Sequence, residues 1–198
     1  SADLFNIAGM ANTALKKDKE AIGNYKKVIE NNPSHAGAYY NLGIVYRRND
    51  RLQEALASYE KAISLKPDYV QAHNNMGVIY KGQGDYDSAI RCFSKAIEFK
   101  PDHQSAHYNL ALIYKDKGDK QRALKLFSRS LYFNPNSVPS KLGIVDIKIQ
   151  EQQFVVATSI LNEILFEDKK NFEAMLSQSR IYRLQKKYKE ALRVFEDF

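Results

Sequence analysis

The sequence contains a single cysteine, Cys92, among its 198 residues. One thiol cannot form an intramolecular disulfide and cannot hold a zinc ion by itself, so a disulfide scaffold and a cysteine-based metal site are excluded. No apolar run approaches the roughly 20 residues that a membrane-spanning helix needs, and no signal peptide is recognisable. From these absences we expect a cytoplasmic protein without a membrane span.

Patterns typical of catalysis or cofactor binding are also missing. The chain has no glycine-rich phosphate loop, no nucleophile elbow and no paired acidic residues at a useful spacing. His103 and His107 lie four residues apart, a spacing that places two imidazoles on one helix face, but no third ligand accompanies them. We therefore expect no enzymatic activity, no metal and no cofactor, and we interpret Cys92 as a small core residue.

A 34-residue period runs through the whole chain without an insertion. With units that begin at residues 2, 36, 70, 104, 138 and 172, the twentieth position is always alanine: Ala21, Ala55, Ala89, Ala123, Ala157 and Ala191. The twenty-fourth position is always large: Tyr25, Tyr59, Phe93, Phe127, Leu161 and Phe195. A period of this length with a small and a large residue at fixed places predicts a solenoid of paired helices.

The third unit shows how each pair is delimited. Asp68, with Gln71 three residues later, is predicted to cap a first helix, and Gly82 and Gly84 to break it. Asp85 is then predicted to cap a second helix, which stops at Pro101 because proline donates no backbone hydrogen bond. Neither helix is long enough to be stable alone in water, so each must pack on its neighbours.

The second unit carries the pattern of a known family at every place: Tyr39, Leu42, Gly43, Tyr46, Ala55, Tyr59, Ala62 and Pro67. On these residues the sequence resembles the tetratricopeptide repeat family over its full length. The resemblance implies an all-α fold, a right-handed superhelical solenoid of about six helix-turn-helix units in one domain, 1–198. The units are 2–35, 36–69, 70–103, 104–137, an irregular unit 138–171 and a truncated unit 172–198.

In that family, one stripe of each first helix, at positions 2, 5, 6, 9, 12 and 13 of the repeat, lines the concave face of the superhelix. Position 6 of the three regular units carries asparagine, and family members with such an asparagine ladder hold extended peptides. Amides suit this purpose because they both donate to and accept from a peptide backbone of any sequence. The predicted groove comprises the ladder Asn41, Asn75 and Asn109, the neighbouring Tyr40, Asn74 and Tyr108, the apolar row Ile44, Val78 and Leu112, and the basic row Arg47, Arg48, Lys81 and Lys115.

The net charge of +7 is concentrated in the regular units. Residues 36–137 hold 15 lysines and arginines against 10 acidic residues. Such a local excess favours an acidic partner surface. We therefore predict a protein-protein interaction scaffold whose concave groove holds an extended, partly acidic segment of another protein. Nucleic acid is not the expected partner, because acidic residues are interleaved throughout and few aromatic residues are expected to be exposed for base stacking.

Two alternatives remain open from the sequence. The chain resembles the substrate-recognition repeats of enzymes that transfer sugars to proteins, whose catalytic domain would lie outside these residues. The ladder asparagines can also serve only solubility and local hydrogen bonding on an open face.

At the C-terminal end, Leu192, Phe195 and Phe198 form one helical stripe with nothing after it. From this stripe we expect either a longer protein or self-association through this end.

Overall fold

The computed structural model describes residues 2–195, and this range contains helices and turns but no strand. Six first helices begin 34 residues apart: α1 (Ala2–Ala14), α3 (Ala36–Arg48), α5 (Val70–Gly82), α7 (Gln104–Asp116), α9 (Val138–Gln150) and α11 (Phe172–Leu184). Each is followed by a second helix: α2 (Asp18–Asn31), α4 (Leu52–Leu65), α6 (Tyr86–Phe99), α8 (Lys120–Phe133), α10 (Phe154–Glu167) and α12 (Tyr188–Arg193). The predicted all-α fold of helix pairs is confirmed, and it is an α-α solenoid in class.

The turn from first to second helix has the same backbone conformation in every unit. Its fifteenth position has positive φ six times: Lys16 at 57°, Asp50 at 58°, Gly84 at 78°, Gly118 at 80°, Gln152 at 58° and Lys186 at 60°. Glycine adopts this left-handed conformation without steric cost, whereas a side chain adds strain. Only two units place glycine there, so packing of the helices holds the other four turns in the same conformation.

Helix starts follow one prediction and contradict another. The side chain of Asp85 accepts a hydrogen bond from the Ser88 backbone N–H at 3.0 Å, which confirms it as the cap of α6. The prediction that Asp68 caps α5 is wrong, because that helix begins at Val70 after Tyr69, which makes no side-chain cap bond. Asp68 lies one residue too early, in the turn after Pro67, where its carbonyl accepts from the Val70 N–H at 2.8 Å.

The chain divides into two compact parts, each made of three helix pairs or repeats. These parts are termed the first unit, 1–101 with α1–α6, and the second unit, 102–198 with α7–α12. In the first, the twentieth-position alanines are fully buried, and the aromatic residue at position 24 packs on a glycine of its own repeat. A β-carbon on Gly43 would lie 2.6 Å from Cε1 of Tyr59, and one on Gly77 would lie 2.7 Å from Cε1 of Phe93. The small residue therefore lets the two helices of a repeat approach closely, as the sequence code indicates.

The second unit has the same core built with different residues. Ala123 and Ala157 are fully buried, and Leu161 replaces the aromatic residue at position 24 of the fifth repeat. The first helix of that repeat, α9, is regular despite its irregular sequence, because it is buried on two sides: Val145 and Ile149 pack in one hydrophobic cluster and Ile147 packs in another. Pro139 is tolerated there because the first turn of a helix needs no donor at that position.

The last helix leaves apolar surface exposed. Leu192 on α12 is 73% exposed, and the ring of Phe195 lies 6.4 Å from that of Phe172. Phe198, the third member of the predicted stripe, lies outside the described residues. Self-association through this surface stays a prediction. None of the helices within 2–195 combines the length and the hydropathy needed to cross a bilayer.

Candidate functional site

Nine of the thirteen predicted groove residues lie in the first unit, on α3 and α5. Seven are half-buried: Tyr40, Asn41, Ile44, Asn74, Asn75, Val78 and Lys81. Arg47 and Arg48 at the end of α3 are exposed. Partial burial is the condition expected of side chains that line a shallow groove and still reach solvent.

The ladder residue Asn75 contacts the preceding repeat through a tyrosine. Its Nδ2 donates to the hydroxyl of Tyr40 at 3.4 Å, which is longer than a normal N–H···O bond. The Tyr40 ring stacks on Tyr69 with 4.9 Å between centroids and lies 5.8 Å from the ring of Tyr59. The sequence analysis did not single out Tyr59 or Tyr69 as neighbours of the ladder, because they belong to the packing and turn positions of their repeat.

Burial raises the pKa of these tyrosines and so favours their neutral form. It raises the pKa of Tyr59 to about 12, and it raises the pKa of Tyr40 despite the opposing bond from Asn75 and the charge of Arg47. The Tyr59 hydroxyl is buried and makes no hydrogen bond of normal geometry among the described residues, although the side chains of Asn75 and Arg47 lie near enough to act against the rise of its pKa. The chemistry offered here is therefore that of neutral hydroxyl and amide groups beside one exposed guanidinium.

Arg48 makes a structural contact between repeats. Its guanidinium forms a salt bridge with Asp18 at the start of α2 and donates to the backbone carbonyl of Thr13 at 2.8 Å. Asn49 Nδ2 also donates to the carboxylate of Asp18, at 2.7 Å. These bonds tie the end of α3 to the α1–α2 turn, which is a function the sequence pattern did not indicate.

The second unit contains an open pocket of about 380 Å³ along its first helices. Its lining comes from α7, α9 and α11: Tyr108, Leu112, Lys115, Pro139, Leu142, Gly143, Asp146, Glu173 and Ser177. Three of these were predicted, and Asn109, the remaining predicted residue, lies half-buried on α7. All nine occupy positions 2, 5, 6, 9 or 12 of their repeats, which are the positions that the family resemblance assigns to the concave face.

A chain of three charges lies across this unit. Lys115 Nζ is 2.9 Å from Oδ2 of Asp146, and Arg180 Nη1 is 2.9 Å from its Oδ1. Burial acts to raise the pKa of Asp146, but the two cations outweigh it and hold that pKa below its ordinary value. Lys115, predicted as a member of the basic row, is thus already paired inside the protein.

The ladder position of the fifth repeat carries no amide, because Gly143 lies there against the ring of Phe127. Ala111 occupies position 8 of the fourth repeat, where three other repeats have glycine. We infer that the methyl group of Ala111 takes the space that those glycines leave. The ring of Phe127 packs instead against Gly143 on α9.

Six lining residues were not predicted: Pro139, Leu142, Gly143, Asp146, Glu173 and Ser177. The sequence contained the signal for four of them, since Leu142, Gly143, Asp146 and Ser177 stand at positions 5, 6 and 9, as predicted residues of the regular repeats do. Pro139 and Glu173 stand at position 2, where no groove residue was predicted.

His103, His107 and Cys92 serve in helix capping and in packing. His103 caps α7 by accepting from the Ala106 N–H at 3.2 Å, and His107 is buried against the ring of Phe133. Burial raises the pKa of the Cys92 thiol to about 11. Among residues 2–195, no three His, Cys, Asp or Glu side chains are grouped to hold a metal ion.

Two family models match the sequence. The model described as tetratricopeptide repeat matches residues 34–102 and 68–131, and the one described as TPR repeat matches residues 9–50. No curated protein sequence gives a significant match.

Solved structures share the fold at low sequence identity. The structure of PilF from Pseudomonas aeruginosa has a TM-score of 0.85 at 21% identity and covers 98% of this chain and 88% of its own. PilW, described as a widely conserved type IV pilus biogenesis factor, has a TM-score of 0.83 at 18% identity over 98% and 90%. YrrB, described as a TPR protein with an unusual peptide-binding site, has a TM-score of 0.71 at 22% identity over 86% and 88%. At these identities the likeness shows the fold alone.

Proposed function

This chain belongs to the tetratricopeptide repeat family, and from that premise we propose that it is a non-catalytic protein-interaction module that holds an extended segment of a partner protein. The segment lies along the first helices of the repeats and meets the asparagine ladder, the apolar row and the basic row. The observation that carries the proposal is the 380 Å³ pocket of the second unit, whose lining consists entirely of positions on that stripe.

Spacing on the helices suits an extended chain. Packed helices lie on the order of 10 Å apart, and an extended chain rises about 3.3 Å per residue. A bound segment thus meets one rung about every third residue. Each amide bond adds only about 0.5–1.5 kcal/mol, so the apolar row at Ile44, Val78 and Leu112 must supply much of the affinity.

Charge orients the segment in the first unit. Arg47 is exposed beside the tyrosines, and Lys81 occupies the same position of the next repeat. Acidic residues of the partner are the complement of this pair, and such pairs mainly raise the association rate. Arg48 and Lys115 each form a salt bridge with an aspartate of this protein.

The experiment is a selection of displayed random 15-residue peptides on the full chain, followed by affinity measurements on the winners. Changing Asn75 and Asn109 to Ala should weaken binding at least tenfold. The melting temperature should change far less than the affinity, because both amides are only half-buried and the bond from Asn75 to Tyr40 is long. Asn162→Ala, which removes an exposed amide from the second helix α10, is the matched control and should bind as wild type does.

Two results would refute the proposal. Equal losses of binding and of thermal stability would show that the asparagines are structural. Binding that survives the double change would place the peptide on another face of the helices.

A further inference from the structure

The pocket of the second unit has a feature that the regular repeats lack, because its floor has no amide. At position 6 of the fifth repeat Gly143 offers only backbone to the pocket, because the ring of Phe127 occupies the place of a β-carbon. Leu112 and Leu142 form apolar walls, and the ring of Tyr108 lies 5.9 Å from that of Phe127. A pocket with apolar walls, an aromatic ring and no side-chain amide among the described residues of its lining suits a side chain of the bound segment better than its backbone.

The charges of the lining are unequal. Lys115 is neutralised by Asp146, whose other oxygen is held by Arg180, a residue outside the lining. Glu173 has no salt-bridge or hydrogen-bond partner for its carboxylate among the described residues, and it lines the same pocket as Tyr108. Burial raises the pKa of the Tyr108 hydroxyl. The positive charge of Lys115 acts to lower that pKa, and the negative charge of Glu173 acts to raise it, so Glu173 is close enough to interact with Tyr108. The pocket therefore has one unpaired negative charge beside an aromatic face.

On this geometry we propose that the pocket is a specificity site for an arginine side chain of the bound segment. The aliphatic stem contacts Leu112 and Leu142, the guanidinium lies on the Tyr108 ring, and its N–H groups donate to the carboxylate of Glu173. Arginine is preferred to lysine because its planar fork stacks on aromatic rings and binds a carboxylate through two parallel bonds. The inference rests on the proposed function, which supplies the extended segment that carries the arginine.

The opposite preference, an acidic side chain, is the main competitor. It would have to approach Lys115, which Asp146 already holds at 2.9 Å, and it would lie beside the unpaired Glu173. The acidic side chain and the carboxylate of Glu173 would repel each other. Apart from Lys115, no cation among the described residues lines the pocket. Charge complementarity thus favours the cation.

The test uses the peptides selected on the full chain, with each peptide position varied in turn. One position should require arginine, with lysine several-fold weaker and glutamine or glutamate at least tenfold weaker. Glu173→Gln should remove this preference and weaken the arginine peptide about tenfold. Glu173→Arg should transfer the preference to glutamate. Glu167→Gln, at an exposed acid of α10, is the matched control and should leave the preference unchanged.

The outcomes separate this inference from the function on which it depends. If peptides bind and respond to Asn75→Ala and Asn109→Ala but show no arginine requirement, or if Glu173→Gln keeps it, the arginine site is wrong and the proposed function stands. A requirement for glutamate at that position has the same meaning. If no peptide binds the wild-type chain, or if binding ignores the asparagines, the function and the arginine site both fail. Melting temperatures of each Glu173 variant within a few degrees of wild type exclude misfolding as the cause.

Discussion

Gly143 on α9 and Phe127 on α8 are in contact so close that a β-carbon at the glycine would lie 2.4 Å from Cζ of the ring. Phe127 is fully buried, so the ring has no room to move away. The contact joins the core of the fourth repeat to the floor of the candidate pocket. Packing of one repeat thereby decides which side chain is permitted on the binding surface of the next.

Gly143→Ala should therefore destabilise the protein. Overpacking a tight core costs about 1–3 kcal/mol, whereas alanine recovers up to about 1 kcal/mol of helix propensity. We expect a net loss of roughly 1–2 kcal/mol in urea denaturation. Phe127→Leu in the same chain should restore most of it, since Leu161 of the fifth repeat and Ser177 of the sixth stand at the corresponding positions. A single variant as stable as wild type would contradict this account.

The salt bridges of Asp146 should make stability depend on acid pH. Its pKa is lowered in the folded protein, so the ionised form favours folding. This contribution is fully present above the unfolded pKa of about 4 and is lost as the pH falls through the lower folded value. At pH 7, Asp146→Asn should cost about 1 kcal/mol, because the pair is partly screened by solvent. The difference from wild type should shrink as the pH drops below about 4.

The control for this experiment is Asp116→Asn, at an exposed carboxylate near the end of α7. Its stability difference from wild type should be small at all pH values. A constant penalty for Asp146→Asn between neutral and acid pH would show that the lost interaction is not ionic.

Tyr59→Phe should leave the free energy of unfolding unchanged or raise it by up to about 1 kcal/mol. The hydroxyl of Tyr59 is buried and makes no hydrogen bond of normal geometry with any described residue, although Asn75 and Arg47 lie near it. Phenylalanine already occupies this position in the third and fourth repeats. Tyr25→Phe is the matched control, because the Tyr25 hydroxyl lies 3.1 Å from Oγ1 of Thr13. That change should lose about 1 kcal/mol. Equal effects of the two variants in thermal denaturation would argue against this interpretation of Tyr59.

Cys92 should react slowly with thiol reagents at neutral pH. Burial raises its pKa to about 11, so the nucleophilic thiolate is scarce until the solution is strongly alkaline. The rate of modification, followed by absorbance, should be far below that of a small thiol at pH 8 and should rise in denaturant. Rapid modification of the native chain would mean that the second helix α6 opens readily or that the thiol is not buried.

Changing Arg47 and Lys81 to Glu should slow association with an acidic peptide selected on the full chain. Exposed charges act mainly on the rate of encounter, so the wild-type rate should also fall as salt rises to physiological strength. Lys115 is left unchanged, since a glutamate there would face Asp146 and disturb folding. A salt-independent association rate would remove the basic row from the mechanism, and stopped-flow fluorescence measures it directly.

Much of the fold could be predicted from the sequence because it depends on local rules that repeat. The period places all six first-helix starts, and the alanines at position 20 are buried as the small-large code requires. Caps were less predictable. Asp85 caps its helix, but Tyr69 takes the place expected for Asp68, because the course of the turn after the proline decides which residue is last before the helix.

Of the candidate site, the sequence by itself determined the stripe: which positions of each first helix lie together, since 3.6 residues complete one helical turn. It did not determine the pairings across that stripe. Three contacts show this: the salt bridge of Lys115 with Asp146, that of Arg48 with Asp18, and the packing of Phe127 on Gly143. Each joins residues 16 to 31 positions apart in the sequence. Such contacts follow from how neighbouring repeats pack and which rotamers that packing permits, and only the tertiary structure decides them.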